Sequence, residues 1–123
     1  VMDALRMPKD TPDQKSARSQ ALQSGYRHAT EVPLQTARQC CAALELCLLA
    51  ARCGNDVMIT DAGVGALVSH AGVKGAAYNA RINLKSIKDP EFVARVGAEI
   101  AHLLDESRSI ADLVEREVER VVG

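Results

Sequence analysis

The stretch "TDAGVGALVSHAGVKGAAYNARINL", Thr60 to Leu84, decides the fold. It shows no strict alternation of apolar and polar residues. Steps of three and four from Asp61 reach Gly65, Ser69, Gly72, Ala76, Asn79 and Asn83, so one side of a helix is small and polar along its whole length. Each glycine inside a helix costs about 0.5–1 kcal/mol relative to alanine, and four in one stretch call for a compensating use. Two uses are physically sensible. Small residues let two helix backbones approach closely; equally, they clear room for a flat ligand, with Asp61, Asn79 and Asn83 as directed polar groups at its rim. Arg81 lies about 200° from Asn79 on an ideal helix and serves another surface.

Working outward, every neighbouring segment also has helical period. A short opening helix ends near Met7, ahead of Pro8. Thr11 and Pro12 then read as N-cap and first helical residue of a helix running to about Ala29, with Asp13 near the positive end of its dipole. Pro33 restarts the chain in "VPLQTARQCCAALELCLLAARCGN". There Leu34, Ala37, Cys41, Leu44, Leu48 and Ala51 mark a buried face, and Gly54 and Asn55 supply a left-handed stop. Thr60 or Asp61 caps the glycine-rich helix. Asp89 caps the last one, with Pro90 at its first position and Val93, Val96, Ile100, Leu103, Ile110, Val114 and Val121 near heptad spacing. Glu117 interrupts that stripe, and Val118 takes its place if the face drifts. The expectation is an all-α, multihelical bundle of about five helices forming a single domain.

Composition excludes several function classes. A net charge of -1 and only three aromatics offer neither an electrostatic footprint nor a stacking platform for nucleic acid. No apolar run approaches the roughly 20 residues that cross a bilayer, and no secretory signal opens the chain, so a cytoplasmic protein without a membrane partner is expected. Cys40, Cys41, Cys47 and Cys53 fit neither a zinc pattern nor a disulfide framework and read as reduced packing thiols. His28, His70 and His102 have no joint metal-binding spacing, so no metal is expected. "GVGALVSHAG" lacks the preceding strand of a dinucleotide fingerprint.

The blocks "ALRMPKDTP", "EVPLQTAR", "ARCGN", "TDAGVGAL" and "GAAYNARINLKSIKD" together resemble the cyclodeaminase/cyclohydrolase family of folate one-carbon metabolism. The resemblance implies an all-helical fold, a homodimer or larger homo-oligomer, no cofactor, and a tetrahydrofolate derivative as substrate. It implies either hydrolysis of 5,10-methenyltetrahydrofolate to 10-formyltetrahydrofolate or cyclodeamination of formimidoyltetrahydrofolate with release of ammonia. It also implies that the chain is the C-terminal portion of the family's domain. The "D-A-x-A-F/Y" segment, whose Asp is the family's catalytic carboxylate, is then expected before Val1, and the isolated chain is expected to be inactive.

Within the chain, Asp61 is the candidate catalytic carboxylate, with helix capping as its competing role. Asn79 and Asn83 are candidate substrate-binding amides, and Arg81 is a candidate for the folate glutamate or an interface ion pair. Arg6 and Lys9 lie in a loop where an anionic tail could be met, or where solvated cations simply sit. A non-catalytic helical assembly module is the alternative from another class.

Overall fold

The computed structural model describes residues 1–123. Four α-helices and one 3-10 turn follow in order: α1 Met2–Leu5, α2 Pro12–Cys53, the turn Asp56–Met58, α3 Ile59–Leu84 and α4 Pro90–Val122. There are no strands, in agreement with the all-α expectation.

The largest difference from expectation is at Pro33, which does not restart the chain but lies inside one helix of 42 residues. Proline has no N–H and crowds the carbonyl four residues earlier, which here belongs to Ala29. The side-chain amide of Asn83 donates to that carbonyl at 2.9 Å, so α3 supplies the bond that α2 cannot. Four α-helices rather than about five are the result.

The helix ends follow local chemistry. Thr11 and Gln14 form a reciprocal capping box at the start of α2, and Asp89 Oδ1 accepts from the backbone N–H groups of Glu91 and Phe92 at the start of α4. Two endings differ from expectation. Gly54 is extended at φ -77° rather than left-handed, because its N–H closes on the Ala50 carbonyl at 2.8 Å and the chain leaves directly into the 3-10 turn. That turn is capped by Asn55, so α3 starts at Ile59 with neither Thr60 nor Asp61 as its cap.

Helix α3 packs along α2, and α4 closes over both. The core includes Leu34, Ala37, Cys41 and Leu44 from α2, Val73, Ala77 and Ala80 from α3, and Val96, Ile100, Leu103 and Val114 from α4. The small side of α3 meets α2 closely. A Cβ on Gly65 would lie 3.0 Å from Cys47 Sγ, and one on Gly72 would lie 2.7 Å from Cys40 Sγ. Two of the cysteines thus occupy the space that two glycines vacate, and the close-packing use of the small face holds along this half of α3. On α4, Val118 packs against the core and approaches Gly63, while Glu117 pairs with Arg52 and Arg120.

Polar ties join the elements at the other end. Gln23 donates to the Ser86 carbonyl at 2.9 Å and accepts from the Lys88 N–H at 2.8 Å, holding the α3–α4 connection against α2. Arg27 pairs with Asp89, and the guanidinium groups of Arg27 and Arg95 each lie over the Phe92 ring, 5.6 Å and 5.1 Å from its centroid. Arg38 Nε meets Glu99 Oε1 at 2.6 Å.

The accessible surface is 7721 Å², above the roughly 6,400 Å² expected for a compact monomer of 13.2 kDa. Val64, Leu67, Val68, Tyr78 and Ile82 form an exposed stripe along the outer side of α3. No helix is long and apolar enough to cross a membrane.

Candidate functional site

Two of the concavities in the surface are lined by residues that bear on function. The first, of about 550 Å³, lies where the middle of α2 meets the C-terminal half of α3. Ala29, Val32, Pro33 and Thr36 form one wall; Ala76, Asn79 and Asn83 form the other. Asn83 is held by its bond to the Ala29 carbonyl, and Asn79 donates to the Gly75 carbonyl of its own helix at 3.1 Å. Thr36 donates its hydroxyl to the Val32 carbonyl at 3.2 Å. All three polar side chains therefore sit in set orientations, each tied to backbone.

The second concavity, of about 400 Å³, lies between the N-terminal half of α3 and the C-terminal half of α4. Its walls include Gly63, Leu67, His70, Asp112, Glu115 and Val118. His70 Nδ1 approaches Ser107 Oγ at 3.1 Å, a pairing that sequence spacing did not suggest. Ser107 already donates to the Leu104 carbonyl at 3.0 Å, so the imidazole N–H must point to the hydroxyl oxygen. With its proton committed and no exposed surface, Ser107 is not arranged as an activated nucleophile. No group of three or more His, Cys, Asp or Glu side chains is placed to hold a metal ion.

The sequence-derived candidates are partly brought together. Asn79 and Asn83 share the first groove. Asp61 is exposed in the first turn of α3, and 18 residues of helix put it about 27 Å from Asn79 at 1.5 Å per residue. One ligand of pterin size does not reach both within this chain. Arg81 is exposed on another side of α3 and makes no ion pair, while Arg6 and Lys9 are exposed near α1, outside the groove walls.

The groove residues that sequence reasoning missed are Ala29, Val32, Pro33 and Thr36. One signal was available: a proline inside an otherwise helical pattern identifies the carbonyl four residues earlier as one needing an outside donor. That carbonyl is Ala29, and its donor is one of the two singled-out asparagines.

The groove unites the "EVPLQTAR" and "GAAYNARINL" blocks, which supply Val32, Pro33 and Thr36 on one wall and Ala76, Asn79 and Asn83 on the other. The family model described as formiminotransferase-cyclodeaminase matches residues 1–102. The chain belongs to the formiminotransferase-cyclodeaminase family. Among the relatives of this family member, the formimidoyltransferase-cyclodeaminase of Sus scrofa is 40% identical over 113 residues, covering 92% of this chain and 21% of the relative. The methenyltetrahydrofolate cyclohydrolase of Methylorubrum extorquens is 34% identical over 123 residues, covering 100% of this chain and 59% of the relative. The Mus musculus formimidoyltransferase-cyclodeaminase is 36% identical over 113 residues. The chain thus spans less than two thirds of the length of these curated relatives.

Proposed function

We propose that the protein containing this chain acts on a tetrahydrofolate derivative in one-carbon metabolism, hydrolysing 5,10-methenyltetrahydrofolate to 10-formyltetrahydrofolate. The observation that carries this reading is the groove in which Pro33 and Thr36 of one family block face Asn79 and Asn83 of another. The choice of hydrolysis is supported by the Methylorubrum extorquens relative, whose match extends over the whole of this chain. Cyclodeamination of formimidoyltetrahydrofolate, supported by the names of the mammalian relatives, is the alternative reaction.

The chemistry asks for few groups. Water adds to the cationic carbon between N5 and N10 while a carboxylate beside that carbon stabilises the cation and takes a proton from the water; the C–N5 bond then breaks, one of the two water protons passing to N5 and the other to solvent, and the formyl group is left on N10. On this reading that carboxylate is the Asp of the family segment expected before Val1. The groove orients the substrate's ring system. Asp61 would reach the same substrate only from a second copy of the chain, and it is retained as a catalytic candidate on that condition. Arg81, Arg6 and Lys9 are cations without ion-pair partners, suited to the carboxylates of the folate glutamate tail.

The test uses the intact protein. Loss of methenyltetrahydrofolate absorbance in the presence of enzyme supports the hydrolase reading, ammonia release from formimidoyltetrahydrofolate supports the alternative, and absence of both sinks the assignment. The exposed apolar stripe on α3 favours a second reading for the isolated chain, a helical module that assembles with another copy. In that case light scattering reports an oligomer while calorimetry with a folate reports no heat.

A further inference from the structure

The polarity of the groove can be worked out from its hydrogen bonds. A side-chain amide has one donor end and one acceptor end, and its hydrogen-bond partners decide which way each end points. Asn79 and Asn83 both bond to backbone carbonyls, which only accept. Each amide must therefore turn its NH2 to the backbone, and each leaves its Oδ1 without a donor from the protein. Thr36 likewise spends its hydroxyl proton on the Val32 carbonyl and keeps only lone pairs to offer. The remaining walls are Ala29, Val32, Pro33 and Ala76, and Pro33 has no N–H. No basic side chain lines this groove.

We infer that the groove is an acceptor-only reader, in which Asn79 Oδ1, Asn83 Oδ1 and Thr36 Oγ1 select the hydrogen-bond-donating edge of a flat heterocycle. Resting on the folate reading above, this assigns the groove to the 2-amino and ring N–H edge of the pterin rather than to its 4-oxo group. An acceptor presented to this surface meets three lone-pair groups with no proton between them, and both partners lose their bonds to water without replacement. Selectivity arises from that mismatch as much as from the bonds themselves. Pro33 acts at one remove. By leaving the Ala29 carbonyl to Asn83, it fixes the donor end of that amide inward and the acceptor end outward. Pro33 is a positioning residue, whereas Asn79, Asn83 and Thr36 touch the ligand.

The test compares two ligands that differ at one exocyclic group: 5-formyltetrahydrofolate, and its counterpart in which the 2-amino group is replaced by oxygen. Binding to the intact protein is measured by calorimetry. The amino compound is expected to bind at least about tenfold more tightly, a ratio that one lost hydrogen bond with its desolvation penalty supplies. Asn79→Leu and Thr36→Val are expected to weaken the amino compound and bring the ratio towards one. Asn83→Leu on its own endangers the fold, so it is made together with Pro33→Ala, which returns a helical donor to the Ala29 carbonyl; the double variant is expected to lose discrimination while keeping its helical circular dichroism. A ratio near one in the unaltered protein, or a ratio that Asn79→Leu leaves untouched, overturns the acceptor assignment while the folate reading stands. Failure of both ligands to bind overturns the folate reading and this inference with it.

Discussion

Asn83 donates its side-chain amide to the Ala29 carbonyl at 2.9 Å, the very group that Pro33 deprives of a helical partner. Two distant positions are thereby made interdependent: the proline is tolerable because the asparagine is present. Replacing Asn83 by Ala is expected to destabilise the fold by about 1–3 kcal/mol, the usual cost of leaving a part-buried acceptor unsatisfied. In a Pro33→Ala background the backbone N–H returns, and the same Asn83→Ala change is expected to cost less than half as much. Urea unfolding of the four proteins in the cycle measures this, and equal costs in both backgrounds would refute the dependence.

The glycines of α3 and α4 divide by what surrounds them. Gly75 and Gly97 have no atom within 4 Å of a built Cβ, so Gly75→Ala and Gly97→Ala are each expected to stabilise by about 0.5–1 kcal/mol through helix propensity. Gly72→Ala would place a methyl 2.7 Å from Cys40 Sγ and is expected to destabilise by about 1–3 kcal/mol. Adding Cys40→Ala removes that sulfur and should recover most of the loss in thermal melting.

The Arg38 guanidinium, bonded to Glu99 at 2.6 Å, holds the Glu99 carboxyl below its ordinary value of 4.5. A carboxylate depressed in the folded state binds its proton more readily once unfolded. Its contribution to stability is therefore complete above the unfolded value and disappears as pH falls through the lower folded value. Stability measured for the protein and for Glu99→Gln should differ most above about pH 4.5 and converge in more acidic solution. A difference that grows on acidification would contradict the sign.

Cys41 is buried, its thiol lies 3.5 Å from the Leu103 carbonyl, and burial pushes its pKa up to about 11. Cys53 is exposed at the end of α2. Iodoacetamide at neutral pH is expected to modify Cys53 first and Cys41 only on unfolding, since the thiolate is the reactive form. Peptide mass spectrometry over a time course reads the order directly.

Much of the fold was legible in residue order. Apolar periods identified the buried faces of α2 and α4, and Thr11 and Asp89 carry their helices' first turns in the way their side chains suggest. The extent of α2 was not legible, because the rule that proline interrupts helices is local, while the compensating donor comes from a residue 50 positions further on. The small face of α3 left two uses open, and the structure shows close packing at the glycines and a groove beside the asparagines. Gly65 and Gly72 sit against cysteine sulfur, while Asn79 and Asn83 border a groove. Periodicity alone could not divide them, since it specifies direction around a helix but not which neighbour lies opposite at each height. Asp61 shares that direction and yet lies too far along the axis to join the asparagines.

The length of α2 gives Pro33 a mechanical meaning. With 21 residues before it and 20 after it within the helix, the proline stands near the midpoint of a rod whose arms are each about 30 Å long. A change of axis of about 5° there would swing either tip by about 3 Å, and prolines are where helix axes commonly bend. One tip leads to α1, and the other carries Arg52 against Glu117 of α4. The walls of the groove thus stand at the midpoint of the rod, where a given change of axis displaces both ends of α2 by the same amount.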